Sequence, residues 1–540
     1  MKRKINPAQR AHGLGWRLAV LIVLCLGFIR FADAGSASTA DHTKFKSLAG
    51  PFASGEEVTK ACLACHTEAS HQVMKSIHWT WEYTSPTTGQ KLGKHNLVNN
   101  FCTNARGNEG MCAQCHAGYG WKDASFDFKD QDKVDCIVCH DQTGGYYKTP
   151  PTRGNKACGV MFEGLKPIDL ADVAQHVGLP GRENCGSCHF YGGGGDGVKH
   201  GDLDSSLIHA SHDLDVHMDE KGENFACTAC HVTKAHISAG SRYDVHAKDT
   251  DGTGKPGQRR DVATCESCHG DMPHPAKEII GSQLNTHVAK VACQTCHIPK
   301  MARGGVATKV DWDWRTAGRT RNGEGYQEVG YVQGNGEERD TYKSIKGSFV
   351  YGENLVPHYA WFNGQMHYTT IDTRFDPARQ PVPINAIGGT PGAPDARIWP
   401  FKRMHTVQPF DKGNNTLVYM HLWGDTPEDK DAYWGNYDMG RAIQVGMARE
   451  SQPYSGDFGF VETESFWPIT HMVAPKEQAV GCQECHRAGG RLEGISGVYM
   501  PGRDHRPWLE RIGLSAVLAT LAGVLIHALI RIVVAQRKKG

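Results

Sequence analysis

One short pattern constrains this chain more than anything else: two cysteines two residues apart with a histidine directly behind them, eight times over. It reads CLACH at Cys62/Cys65/His66, CAQCH at Cys112/Cys115/His116, CIVCH at Cys136/Cys139/His140 and CGSCH at Cys185/Cys188/His189. It continues with CTACH at Cys227/Cys230/His231, CESCH at Cys265/Cys268/His269, CQTCH at Cys293/Cys296/His297 and CQECH at Cys482/Cys485/His486. These copies use sixteen of the 19 cysteines. Zinc ribbons pair one CxxC with another and need no histidine behind each. A disulfide framework would not place a histidine after every second cysteine. The pattern is the attachment signature of c-type haem, in which both thiols bond to the haem vinyl groups and the imidazole binds iron. The expectation is eight covalently attached haem c groups, with His66, His116, His140, His189, His231, His269, His297 and His486 as iron ligands.

The first seven units start 50, 24, 49, 42, 38 and 28 residues apart, too irregular for a solenoid. Each haem needs a pocket, and so little chain per haem forces the haems together, which predicts a closely packed, electron-conducting array. Porphyrins supply apolar surface, so 39% hydrophobic residues suffice, and 63 Gly with 25 Pro suit a chain wound around cofactors. The expected fold class is mainly α with extensive loops. Residues 35–300 are read as the core carrying seven haem sites. Residues 301–475 are a haem-free, aromatic-rich segment packed on that core, built of short strands and loops with one or two helices. The eighth site and a linker occupy 476–507. A net charge of +1 argues against a nucleic-acid partner.

Both ends carry apolar runs. Basic residues precede Leu18–Ile29, and Ala32-Asp33-Ala34 offers a cleavage site, so 1–34 reads as a secretory signal. Residues 508–540 read as a C-terminal transmembrane anchor with a basic tail; Ile512–Val534 is long enough to span a bilayer. Haem c is added outside the bacterial inner membrane, so the expected address is its periplasmic side. His527 lies within the span, where ionisable residues are functional candidates.

A pure electron carrier gives every iron a second histidine, whereas catalysis needs one iron with an exchangeable position. Of 29 histidines, 21 lie outside the units. Candidate second ligands are His71, His78, His95, His176, His200, His209, His212, His217, His236, His246, His274 and His287. Their assignment is not readable from spacing. Cys102, ten residues ahead of Cys112, belongs to no unit.

The chain resembles the octahaem tetrathionate reductase family of periplasmic cytochromes. The resemblance rests on "DHTKFKSLAGPF", "ACLACHTEASHQV", "HWTW", "NNFC" with "CAQCHAGYGW", "CGSCHFYGGGGDGVKHGDLD" and the long gap before the eighth unit. It covers most of residues 41–490. It implies an active-site haem whose iron takes a lysine, with a cysteine, an asparagine and an aspartate nearby. By motif these are Lys199, Cys102, Asn99 and Asp196. The haem of Cys112/Cys115 is the expected centre because a short loop ties Cys102 to it; whether His116 also binds that iron stays open. Cys102 has two readings, a thiolate that attacks S–S bonds or a disulfide partner of Cys158.

The implied activity is reduction of tetrathionate, nitrite or hydroxylamine. A hydroxylamine-oxidising enzyme and a non-catalytic conduit from the quinone pool are the alternatives. Expected partners are a small inorganic anion or N-oxide substrate, the inner membrane, and a membrane cytochrome b or quinol-oxidising subunit.

Overall fold

A computed structural model describes residues 40–98, 103–148, 167–243, 245, 262–424, 426 and 429–538. The signal reading of 1–34, and Asn99, Cys102, Cys158 and His246, lie outside the described residues.

All eight CxxCH units fall on short helical turns, among them Gly55–Leu63, Ile137–His140, Arg182–His189, Glu266–His269 and Cys293–His297. Few of these helices exceed two turns, which suits segments whose packing partner is a flat cofactor instead of another helix. Side-chain caps begin several of them: Ser54 accepts from the Glu57 amide, and Asp169 from those of Ala171 and Asp172.

The expected mainly α class is wrong. Helix accounts for 29% of the chain and strand for 19%, and a nine-stranded sheet dominates the second half. Its strands are β1 (Thr308–Asp313), β2 (Gln327–Val332), β3 (Glu338–Lys343), β4 (Gly347–Gly352), β5 (His358–Phe362), β6 (Val382–Pro383), β7 (Arg397–Asp411), β8 (Thr416–Leu417) and β9 (Phe458–Pro468). The order is β6-β9-β7-β1-β4-β3-β2, with β5 and β8 also paired to β7. The long strand β7 organises the sheet. It pairs antiparallel with β9 from Phe401↔Pro468 to Asp411↔Phe458, and parallel with β1 at His405↔Asp311.

Thirteen of the fifteen β7 residues are buried, so the strand is covered on both faces and shows no polar–apolar alternation. Its Pro400 and Pro409 read as strand breakers, because proline lacks the ladder N–H. Those two features hide the sheet from a reading by periodicity. The main apolar core lies against it, around Trp312, Trp314, Phe349, Met404 and Trp467. A second cluster joins Phe362, Trp399 and Phe401 to Leu92 and Leu97, binding the sheet to the haem-bearing half.

The helix Pro507–Arg537 ends the described chain. None of its residues is buried, and its mean hydropathy is 2.3 over the best window.

Candidate haem sites and active site

Seven of the eight unit histidines face one further histidine each. The pairs are His66–His42, His140–His236, His189–His78, His231–His471, His269–His217, His297–His274 and His486–His287. Their ring centroids are 6.0–6.4 Å apart in every case. With a metal–imidazole bond of about 2 Å, two rings on opposite sides of one metal place their centres about 6 Å apart. The spacing therefore fits an iron between each pair.

The ring hydrogen bonds fit as well. Nδ1 of His140 donates to Gly178 O (2.8 Å), that of His231 to Ala239 O (3.0 Å) and that of His486 to Pro501 O (3.2 Å). Nδ1 of His236 donates to Gln72 Oε1 (2.8 Å) and that of His274 to Asn285 Oδ1 (3.1 Å). A proton held on Nδ1 leaves the Nε2 lone pair for iron, the arrangement metal-binding histidines use.

Five of these second ligands were among the sequence candidates: His78, His217, His236, His274 and His287. His42 and His471 were not; His471 is remote in sequence from the unit it faces, while His42 lies only 24 positions before His66, and no spacing rule selects either. The others do different work. His95 pairs with Glu109 (3.0 Å), His176 with Asp172 (3.0 Å) and His209 with Glu220 (2.6 Å). His212 lies 3.4 Å from Asp219, His71 is exposed, and His200 is partly buried beside Lys199.

His116 breaks the pattern. No described histidine faces it. Its Nε2 lies 2.7 Å from the Trp79 carbonyl oxygen. Trp79, Trp81, Trp121, Phe126 and Phe128 surround the ring, with Trp121 at 4.8 Å. Burial in this apolar cage, helped by the Lys148 ammonium, pulls its pKa down to about 3 and keeps the ring neutral. The nitrogen that should reach iron is aimed at a backbone carbonyl instead.

The loop carrying Lys199 is docked on the sheet. Lys402 of β7, fully buried, donates from Nζ to Val198 O (2.7 Å), Lys199 O (2.9 Å) and Thr308 Oγ1 (2.6 Å). Thr308 of β1 donates in turn to Gly197 O (2.7 Å). Lys199 itself is buried, and burial followed by the charge of Arg242 pulls its pKa well below the usual lysine value. That favours the neutral amine, the form with a lone pair for a metal. Its nitrogen interacts electrostatically with Cys115. Asp196 is also buried, but its carboxylate is committed: Oδ1 accepts from the Ser205 amide (2.9 Å) and Oδ2 from the Ser205 hydroxyl.

Neighbouring units touch. Cys115 and Cys188 sit within hydrogen-bonding reach, as do Cys62 with Cys136, Cys185 with Cys227, and Cys265 with Cys293. The Cys185/Cys188 unit thus lies between the Cys112/Cys115 and Cys227/Cys230 units.

The attachment cysteines differ in exposure: Cys65, Cys139, Cys268 and Cys482 are exposed and the other twelve are partly buried. The Cys65 amide donates to Cys62 O (3.1 Å), the Cys268 amide to Cys265 O (3.3 Å), and Cys230 O accepts from the Ala263 amide (3.0 Å). Their first thiols behave differently, since Cys62, Cys227 and Cys265 each meet a cysteine of a neighbouring unit. The physical reason is that a cysteine bonded to a haem vinyl group takes its packing from the porphyrin edge, so protein atoms need not enclose it. The attachment role of all sixteen cysteines rests on the signature.

Helical CxxCH turns with imidazoles paired across metal-sized gaps define a multihaem c-type cytochrome. The comparisons with known proteins agree. The family "Cytochrome c bacterial" matches residues 309–489. The crystal structure of octahaem cytochrome c from Shewanella oneidensis is similar, with a TM-score of 0.70 and 40% identity, covering 84% of this chain and 94% of that one. No curated protein matches. The chain belongs to the octahaem cytochrome c family and is a redox protein with covalently bound haem c.

Proposed function

We propose that this chain is a membrane-anchored reductase whose eight haems deliver electrons to one catalytic centre, the iron at Cys112/Cys115. The observation that carries this reading is the reversed ring of His116: seven unit histidines have a histidine partner across an iron-sized gap, while this one bonds a carbonyl. Lys199, buried with a depressed pKa and electrostatically coupled to Cys115, would hold that iron, which would supply the electrons to a bound substrate.

The substrate class is a small inorganic anion or N-oxide: tetrathionate, nitrite or hydroxylamine. Bound haem supplies the electrons. The chain holds positive charge around the site with Arg242 and Lys94, which favours anions. Asp196, pinned by Ser205, orients the Lys199 loop and adds a carboxylate beside it. Asn99 and Cys102 are assigned to the same site, on the segment that follows Val98. With tetrathionate, two electrons cleave the central S–S bond and release two thiosulfates, the Cys102 thiolate being suited to attack that bond.

Pro507–Arg537 is proposed to anchor the haem body on the periplasmic side of the inner membrane after removal of residues 1–34. A membrane cytochrome b or quinol-oxidising protein would then supply electrons.

The test is Lys199→Ala assayed with tetrathionate, nitrite and hydroxylamine, with haem content checked. Full haem loading, one new high-spin signal and at least a hundredfold loss of turnover are expected. Unchanged rates, or a wild-type spectrum in which every iron carries two histidines, leave only an electron conductor.

A further inference from the structure

Among the described second ligands, His471 has an environment of its own. Its Nδ1 lies 3.1 Å from Oδ2 of Asp202, a carboxylate only 1% exposed. The other paired rings whose Nδ1 partner is described donate to neutral oxygens, namely the carbonyls of Gly178, Ala239 and Pro501 and the amides of Gln72 and Asn285. His217 has Asp215 nearby, but at 3.8 Å, and that carboxylate accepts from the amides of His217, Met218, Met472 and Val473.

Asp202 is also under-compensated. Oδ2 accepts from the amides of Thr470 (2.7 Å) and His471 (3.0 Å), while Oδ1 has no partner among the described residues. Lys402, which feels the Asp202 charge, already gives its Nζ to Val198, Lys199 and Thr308.

We propose that Asp202 is a positioning residue that makes the His231/His471 site the lowest-potential of the seven paired sites. Two physical effects act in the same direction. A carboxylate accepting the Nδ1 proton makes the imidazole a stronger donor through Nε2, which stabilises the oxidised, more positive iron. A buried, poorly compensated negative charge adds the same preference electrostatically. The location gives this consequence. The Cys227/Cys230 unit touches the Cys185/Cys188 unit, which touches the Cys112/Cys115 unit. A low-potential station two steps from the candidate catalytic centre drives electrons toward it and resists their return.

The inference needs only an iron shared by His231 and His471; it is independent of Lys199 and of the substrate. The test is a spectroelectrochemical titration of the haem-loaded protein, wild type against Asp202→Asn, with Thr470→Val as a control because Thr470 Oγ1 also lies 3.1 Å from His471 Nδ1. In Asp202→Asn the lowest-potential wave is expected to move upward while the others stay, and Thr470→Val is expected to leave all waves in place. An unmoved lowest wave, or a shift in Thr470→Val alone, overturns the proposal. Should Asp202→Asn fail to load haem, the oxidised wild type decides. One of its bis-histidine EPR signals is expected to show a narrower g-spread than the rest, and a set without such an outlier overturns the assignment.

Discussion

Nε2 of His116 bonds the carbonyl of Trp79 across 2.7 Å, and Gly118 is what lets the two approach. A Cβ on Gly118 would stand 2.6 Å from the Trp79 ring and 2.8 Å from His116 Cε1, closer than carbon atoms tolerate. Gly118→Ala is therefore expected to push the His116 ring out of its aromatic cage. The expected cost is about 1–3 kcal/mol, as for other overpacked cores. Thermal unfolding measures the loss, and EPR should show the change confined to the Cys112/Cys115 haem. A wild-type melting temperature would mean that the cage is loose.

The Lys199 loop depends on a residue some two hundred positions away. Lys402→Met keeps the apolar stem but removes the Nζ donor that serves Val198 O, Lys199 O and Thr308 Oγ1. Two buried carbonyls lose their donor, at a cost of about 2–4 kcal/mol. The loop should loosen, and turnover should fall roughly in step with the loss of any lysine-ligated signal. Retention of that signal with full activity would show that β7 does not position the loop.

The eight haem turns were legible in the sequence because covalent chemistry ties cysteine and histidine to one fixed local spacing. How deeply each thiol sits was not, since the exposed Cys65 and Cys268 share their motif with the partly buried Cys115 and Cys188. The sheet was hidden too, because its central strand β7 is buried on both faces and carries Pro400 and Pro409. Nor were His42 and His471 readable, since a second ligand arrives through the fold from any distance. His471 lies 240 positions beyond the unit it serves, counting from His231, on the segment that follows β9. Lys199 was legible only through resemblance; its burial and its support by Lys402 are tertiary facts.

His42 gives a direct check on the ligand pairs. It sits on the turn His42–Lys44, partly exposed, 6.3 Å from His66. His42→Ala should cost little stability, because the side chain is not in the core. It should convert one low-spin haem to high-spin and leave the other paired sites unchanged by EPR. No new high-spin signal would mean that His66 shares its iron with another residue.

Pro507–Arg537 lies wholly exposed, an arrangement that strands some twenty apolar side chains in water unless lipid or another helix covers them. A chain ending at Arg506 should partition into the aqueous fraction with its haems intact, while the full chain needs detergent. Equal partitioning of the two would remove the membrane assignment.

Asp204 offers a pH-dependent handle on the same region. Its carboxyl is buried, and burial, aided by the charge of Asp196, raises its pKa to about 7 against the lowering effect of the Ser206 hydrogen bonds. An unfolded aspartate titrates near 4. Between these values the folded state holds a proton that the unfolded state has lost, so this group's contribution to stability is complete below about pH 4. It falls away as pH rises, and is gone above about pH 7. Asp204→Asn keeps an oxygen acceptor for the Ser206 amide but cannot ionise. The difference in unfolding free energy, wild type minus variant, should decline by up to a few kcal/mol from pH 4 to pH 7.5. Denaturant titrations of both proteins across that range measure it. A difference that stays flat would mean that Asp204 is ionised and compensated in the folded protein, so that the loop between Asp196 and Ser206 carries more negative charge beside Lys199 than its burial allows.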